Sequence, residues 1–256
     1  MRTWTSILLA TTALGTAAVA VAGTARHPLP KKPPLTDTQE CGHGRVRSRP
    51  LWFRAADGVA LAGAIYGSGP RGVVLAPESS GSHCGWLSFA GRLARAGYHV
   101  LAYDLRGLGQ SPSLGRNDTV RYDLDVVGAV RELHRLGART VVAGGASLGG
   151  ASVLAAGPAL TRLATGIVDF SGEPALAGAD TALPHLTLPL LVVGSRTDPY
   201  ADAATSRQVI AAAGSKDKQL LLLPGGAHGW DLVGDDPSAP HARAVVLRWL
   251  ARHDRA

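Results

Sequence analysis

The sequence has few cysteines, few aromatic residues and no block of basic residues. Only two of its 256 residues are cysteine, which excludes a fold held together by many disulfides. The formal net charge is +7, but the arginines and lysines are scattered rather than gathered on one element, as a nucleic-acid-binding surface would need. We therefore expect no nucleic-acid partner. With 46% hydrophobic and 18% charged residues, the chain is long enough for one well-buried domain.

The first 25 residues lack acidic side chains and contain a continuous apolar stretch. Arg2 supplies a positive charge, residues 7–22 are apolar or small, and Ala20-Val21-Ala22 has the small-x-small pattern that precedes a signal-peptidase cut. We predict a signal peptide over residues 1–25 and a secreted or cell-envelope protein. The alternative is an uncleaved anchor, because residues 4–22 approach the length of a membrane span. This segment would then be the membrane tether.

Residues 26–48 contain four closely spaced prolines, in His27-Pro28-Leu29-Pro30-Lys31-Lys32-Pro33-Pro34. Proline fixes φ and donates no backbone hydrogen bond, so these residues disfavour both a helix and a central strand. We predict an extended linker over residues 26–48, followed by one folded domain over residues 49–256.

The two cysteines are Cys41, in this linker, and Cys84, in a later loop. An even pair in an oxidising compartment predicts a disulfide, and two free thiols are the alternative. A zinc site that adds His43 and His83 is disfavoured, because the ligands lie too close together in sequence for the usual zinc loops. We expect no metal ion and no other cofactor.

From residue 46 onward, short apolar runs alternate with stretches of helical periodicity. The pattern predicts strands at 46–54, 59–66, 72–76, 99–103, 139–143, 167–170, 190–194 and 219–223, and helices at 86–96, 118–136, 147–156, 201–213 and 240–253. Ala56-Asp57-Gly58 joins the first two strands as a hairpin. An opening hairpin followed by this alternation predicts an α/β fold, with a mostly parallel sheet and helices on both faces. Ligands of such sheets bind beyond the carboxyl ends of the strands.

One motif with catalytic chemistry follows the strand at 139–143. It is Gly145-Ala146-Ser147-Leu148-Gly149, the G-x-S-x-G pattern of a nucleophile elbow, in which a sharp turn exposes the serine at a helix N-terminus. Small residues are required because the strand and helix backbones pass closely. The motif is short enough to occur by chance, but its position between an apolar strand and an alanine-rich helix favours Ser147 as a nucleophile.

A nucleophilic serine needs a base, and the base needs a carboxylate that orients it. Of nine histidines, His228 is the one that follows a late strand in a glycine-rich loop, and Asp198 follows the strand before it. We predict His228 as the base and Asp198 as its partner, with Asp169 as the alternative carboxylate. The chain order Ser147, Asp198, His228 is that of hydrolases with this elbow, and differs from the orders in chymotrypsin and subtilisin.

Acyl transfer also needs backbone donors that stabilise the oxyanion. The amide of Leu148, at the positive end of its helix, is one candidate. The second donor should come from the loop after the third strand. There we expect the amide of Ser79, with Glu78 and Ser80 as alternatives.

Together with Asp104-Leu105-Arg106-Gly107-Leu108-Gly109-Gln110-Ser111, these motifs resemble those of the α/β-hydrolase superfamily over residues 50–254. The resemblance implies an eight-stranded, mostly parallel sheet and no cofactor. It has some dienelactone-hydrolase-like character, because Pro77-Glu78 stands where His-Gly is usual. Only 18 residues separate Ser171 from Leu190, which leaves no room for a multi-helix cap. We therefore expect an open site.

The resemblance implies a serine hydrolase whose partner is a small-molecule carboxylic ester. Thioester, amide or peptide cleavage would use the same groups, so the motifs leave these alternatives open. A non-catalytic envelope binding protein on the same scaffold is the alternative from another class. Such a protein would not need serine, aspartate and histidine at three separate strand ends.

Overall fold

The computed structural model describes residues 28–42, 46–115 and 120–254. The predicted signal peptide, residues 1–25, lies outside the described residues, as does His43. Within the described ranges, no helix combines the length and the apolar character needed to cross a membrane.

One sheet of eight strands forms the centre of the domain. The strands are β1 Ser48–Arg54, β2 Ala60–Tyr66, β3 Arg71–Ala76, β4 His99–Tyr103, β5 Thr140–Ala146, β6 Gly166–Phe170, β7 Leu190–Ser195 and β8 Lys218–Leu223. Their spatial order is β1-β2-β4-β3-β5-β6-β7-β8. The β1–β2 and β2–β4 pairs are antiparallel and all others are parallel. The predicted sheet and its opening hairpin are confirmed.

Seven helices accompany the sheet in the part of the chain that the structure describes. They are α1 Asp37–Glu40, α2 Leu87–Arg95, α3 Tyr122–Arg135, α4 Leu148–Leu160, α5 Ala179–Ala182, α6 Ala203–Ala212 and α7 Ala239–His253. Helices α3, α4 and α6 pack into one hydrophobic layer, and α2 and α7 into the layer on the opposite face. The five predicted helices are present, and the inner strands are buried on both faces, as in parallel sheets generally.

The connection between β6 and β7 is short. It contains the one-turn helix α5 and a 3-10 turn at Leu183–His185. As expected, no multi-helix cap is inserted there, so the carboxyl edge of the sheet has no large cover at this point.

The segment before β1 differs from the extended linker expected over residues 26–48. Its helix α1 is stabilised by the Thr36 amide, which donates to the Gln39 side chain at 3.0 Å. Asp37 is buried and accepts a hydrogen bond from the Tyr66 hydroxyl at 2.9 Å. The predicted Cys41–Cys84 disulfide is formed, with 5.5 Å between the Cα atoms. These side-chain contacts attach the segment to the domain.

Candidate active site

Ser147 occupies the turn between β5 and α4. Its backbone has φ 52° and ψ −116°, a left-handed conformation that non-glycine residues rarely adopt. The Ser147 amide donates to the carbonyl of Phe170, at the end of the neighbouring strand β6, at 2.9 Å. Strained backbone of this kind is typical of functional sites, where the surrounding structure holds it in place.

The glycines on either side of Ser147 have no room for a side chain. A Cβ on Gly145 would collide with the carbonyl of Gly149, and a Cβ on Gly149 would collide with the carbonyls of Ala76 and Pro77. The start of α4 therefore packs directly against the end of β3. This contact brings the loop after β3, which contains Ser79, to the same edge as the elbow.

His228 follows β8 and contacts Asp198, which follows β7. The Nδ1 atom of His228 lies 3.0 Å from Oδ1 and 2.9 Å from Oδ2 of Asp198. The Asp198 carboxylate also accepts hydrogen bonds from the amides of Tyr200, at 2.9 Å, and Ala201, at 3.1 Å. Burial alone would raise the pKa of Asp198, but the hydrogen bonds from His228 and the two amides hold that pKa below its ordinary value.

Asp169, the alternative carboxylate, does not contact His228. It is completely buried at the end of β6, where it accepts a hydrogen bond from the Gly172 amide at 2.8 Å. Burial raises the pKa of Asp169 to about 7. Of the two candidate carboxylates, only Asp198 is therefore in position to orient the imidazole.

The structure places Ser147 and His228 at the same edge without joining them. The strand register aligns Ala146 with Phe170, Phe170 with Val193, and Ser195 with Leu223, so the loops after β5 to β8 emerge side by side. Among the described residues, however, no hydrogen bond joins the Ser147 hydroxyl to His228. The Nε2 atom of His228 has no hydrogen-bond partner in this part of the chain either. A serine–histidine contact would need a side-chain adjustment, as is common in unliganded sites.

The two candidate oxyanion donors also have free amides. Among the residues that the structure describes, neither the Leu148 amide nor the Ser79 amide donates to another protein group. Leu148 is the first residue of α4, where amides have no partner within the helix. Ser79 is exposed, whereas its neighbour Glu78 is buried.

Glu78 joins the loop after β3 to the histidine loop, a contact that the sequence analysis did not predict. Its Oε1 atom accepts a hydrogen bond from the Trp230 amide at 3.0 Å. A Cβ on Gly229 would overlap the Glu78 carboxylate, so a side chain is excluded there. The Trp230 ring in turn covers Gly81 and Gly85, where a Cβ would collide with it. The sequence does show that Glu78 is a carboxylate close after the buried strand β3. It does not show that the partner of this carboxylate is the Trp230 amide.

The charge around His228 is mainly negative. Burial alone would lower the pKa of His228, but the hydrogen bond and charge of Asp198, together with the charges of Glu78 and Glu173, raise it above its ordinary value. The Tyr200 ring lies 4.9 Å from the imidazole, between ring centroids, and is 68% exposed. An exposed aromatic side chain therefore lies beside His228 at the rim of the candidate site.

Potential metal ligands are grouped around His83, which follows β3. Within the described residues, closely spaced ligand atoms are found in two groups, Cys41 with His83 and Cys84, and Glu40 with His83 and Asp104. The two sulfur atoms of the first group are joined in the disulfide. The His83 ring lies between Asp104, at 2.9 Å, and Asp37, at 3.3 Å.

A family model described as serine aminopeptidase, S33 matches residues 68–176, which is under half of the chain. The matched region contains Ser147 but ends before Asp198 and His228. No curated protein matches the sequence.

Solved structures give broader matches. An esterase from Pyrococcus furiosus is 15% identical, with 91% of this chain and 100% of that chain covered and a TM-score of 0.69. A monoacylglycerol lipase from Paleococcus ferrophilus is 17% identical, with 75% of this chain and 99% of that chain covered and a TM-score of 0.65. A dienelactone hydrolase from Anabaena variabilis is 22% identical, with 83% of this chain and 100% of that chain covered and a TM-score of 0.66. At these identities the similarity is one of fold.

Proposed function

Because the chain has the fold of the α/β-hydrolase superfamily, we propose that it is an exported serine hydrolase that cleaves a carboxylic ester. The observation that carries the proposal is the contact between His228 and Asp198 at the sheet edge where the elbow presents Ser147. A base oriented by a carboxylate, beside a strained serine, is the arrangement that activates a hydroxyl for attack.

The proposed reaction has two steps. The Ser147 hydroxyl attacks the ester carbonyl while Nε2 of His228 accepts its proton, and the Leu148 and Ser79 amides stabilise the oxyanion. The carbonyl re-forms as the C–O bond to the alcohol breaks, and His228 returns the proton to the departing alcohol. Water then attacks the acyl-enzyme with His228 again as base, which releases the acid and restores Ser147. Asp198 stabilises the imidazolium in both steps.

The nature of the similar proteins supports an ester as the substrate, since the solved structures include an esterase and a monoacylglycerol lipase. The description of the family model favours a peptide substrate instead. Peptidase activity is therefore the second candidate function, and aminoacyl anilides belong beside esters in any substrate panel. Both reactions would use the same three side chains.

Export is supported by the N-terminal sequence and by the disulfide, because disulfides persist mainly in oxidising compartments. Intact-mass analysis of the protein secreted by its producing cells tests this part of the proposal. We expect a mature chain that begins between residues 23 and 26. A protein retained in the cytosol at full length would contradict it.

The serine mechanism is tested with a fluorophosphonate probe and a panel of chromogenic esters. We expect the probe to label the wild type and not Ser147→Ala, and ester turnover to fall by about 10⁴-fold or more in that variant. Asp198→Asn should also greatly reduce turnover, because the imidazole loses its orienting charge. Asp169→Asn is the matched control, since this carboxylate does not contact His228. Equal labelling of wild type and Ser147→Ala would refute the proposal.

A further inference from the structure

A cleft of about 530 Å³ lies beside the elbow, among α3, α4 and α5. Its lining includes Leu148 and Ala155 of α4, Tyr122 of α3, and Leu176 and Thr181 on the opposite side. The volume is in the range of small-molecule sites. The other main cavities of the described residues lie beside the β1–β2 turn, beside α7 or inside the core. This cleft alone among them includes the residue that follows Ser147.

The cleft extends along α4, away from the elbow. Leu148 and Ala155 are seven residues apart, which corresponds to about 10 Å along a helix axis. The opposite wall turns sharply at Ala177, with φ 54°, and Gly178, with φ 78°. Two consecutive left-handed residues there let the chain turn into α5 and leave space above α4. The cleft therefore has the length to hold an extended chain that runs along α4 from Leu148, the residue after Ser147.

The described lining of the cleft presents no uncompensated charge. Its two charged members, Arg121 and Asp123, bind each other, with Nε to Oδ1 at 2.9 Å and Nη2 to Oδ2 at 2.7 Å. The other lining residues are apolar or neutral, and Val120 is an apolar side chain that is 53% exposed. Among these described residues a carboxylate or ammonium group would find no unpaired charge, whereas an apolar chain would remove hydrocarbon surface from water.

We propose that this cleft binds the acyl chain of the substrate, and that the enzyme hydrolyses esters of uncharged acyl chains of medium length in preference to acetate esters. The inference rests on the proposed function, because the ester carbonyl must lie between Ser147 and the Leu148 amide for the chain to enter along α4. Leu148 thus has two functions, with its amide facing the oxyanion and its side chain lining the cleft.

The test compares 4-nitrophenyl acetate, butyrate and octanoate. We expect kcat/KM of the wild type to rise from acetate to octanoate. Ala155→Phe fills the far end of the cleft and should lower kcat/KM for octanoate by about ten-fold or more, since even one methylene in an apolar pocket changes selectivity by that order. Acetate hydrolysis should remain within about two-fold, because the short chain does not reach position 155.

Two further variants complete the design. Thr181→Trp fills the same cleft from an exposed position and avoids any effect of crowding within α4. Ala211→Phe introduces the same side chain on the exposed surface of α6, outside the cleft, and should leave all three esters unaffected.

The outcomes separate this inference from the proposed function. Selective loss of octanoate hydrolysis in both cleft variants supports the acyl site. Three results would overturn the acyl site without affecting the proposed esterase activity. The cleft variants could hydrolyse all three esters at the wild-type rate, both could lose activity equally toward all three esters, or the wild type could prefer acetate. Absence of any ester hydrolysis and of probe labelling at Ser147 would refute the proposed function itself.

Discussion

Glu78 places a buried carboxylate against the loop that carries His228. Its hydrogen bond to the Trp230 amide fixes the backbone two residues beyond the imidazole. Its charge acts with those of Asp198 and Glu173 to raise the pKa of His228, and Asp169 and Asp231 interact electrostatically with the same ring. One side chain thus influences both the position and the proton affinity of the proposed base.

Glu78→Gln separates these two effects. Glutamine keeps an oxygen that accepts from the Trp230 amide but removes the negative charge, so the pKa of His228 should fall. The neutral imidazole is the base, so the acid limb of the pH profile of kcat/KM should move to lower pH. Glu132→Gln, which removes the charge of a half-buried carboxylate paired with Arg135 near the end of α3, is the control and should leave the limb in place. An acid limb that stays fixed or moves upward in Glu78→Gln would contradict this electrostatic effect.

Individual site residues were predictable where a motif and a strand end coincided. Ser147, Asp198 and His228 each follow a strand, and parallel strands bring their carboxyl ends to one edge. The contact between Glu78 and Trp230 was not predictable, because it joins residues 152 positions apart through loop geometry alone. The choice between Asp198 and Asp169 likewise depended on side-chain direction, which the sequence leaves open.

Among the short elements, α1 and the 3-10 turn His83–Trp86 are held together by a buried imidazole. His83 is 1% exposed and lies between the carboxylates of Asp104 and Asp37. Burial alone would lower the pKa of His83, but the hydrogen bonds to Asp104 and Asp37, with the charge of Glu40, raise it to about 10. The protonated ring is therefore the form that joins α1 to the domain.

This contact predicts an alkaline loss of stability. Because the pKa of His83 is higher in the folded than in the unfolded chain, its stabilisation is complete below the unfolded value of about 6.5 and is lost as pH rises through about 10. Urea unfolding at pH 6, 8 and 10 measures it. We expect the difference in unfolding free energy between wild type and His83→Gln to be largest at pH 6 and to shrink by pH 10. A constant difference would show that His83 stabilises by packing alone.

Long elements were predicted well and one-turn elements were not. All eight strands follow from apolar runs bounded by turn residues. Of the five longer helices, α2, α3 and α6 follow from helical spacing and a closing glycine, α4 from its small residues after the elbow, and α7 from its amphipathic pattern. Helices α1 and α5 have four residues each, too few for a periodic pattern. The proline-rich composition before residue 36 favoured an extended chain, but Asp37 and Cys41 attach the following turn to the domain through distant partners.

Across the whole molecule, the disulfide closes a large covalent ring. Cys41 and Cys84 are 43 positions apart, and the ring between them includes the opening hairpin and β3. On the chain-entropy estimate, closing a loop of that size stabilises the fold by about 4 kcal/mol. The segment before β1 is thereby joined to the loop that carries Glu78 and Ser79.

We expect the double variant Cys41→Ser/Cys84→Ser to unfold at a temperature about 10 °C lower than the wild type, since each kcal/mol corresponds to about 2–4 °C in a domain of this size. Differential scanning calorimetry with and without reductant measures this. Reduced wild type should match the double variant, whose own melting should be insensitive to reductant. A melting temperature that does not change on reduction would contradict a stabilising function of the bond.

The short connection between β6 and β7 has a kinetic consequence. In enzymes whose sites close under a mobile segment, turnover is often limited by the reopening that frees the product. The connection here holds one helical turn and one 3-10 turn. For the proposed ester hydrolysis, we expect departure of the alcohol and the acid across this rim to depend on diffusion into bulk water. The slow event of each cycle should then be the formation or the hydrolysis of the acyl-enzyme.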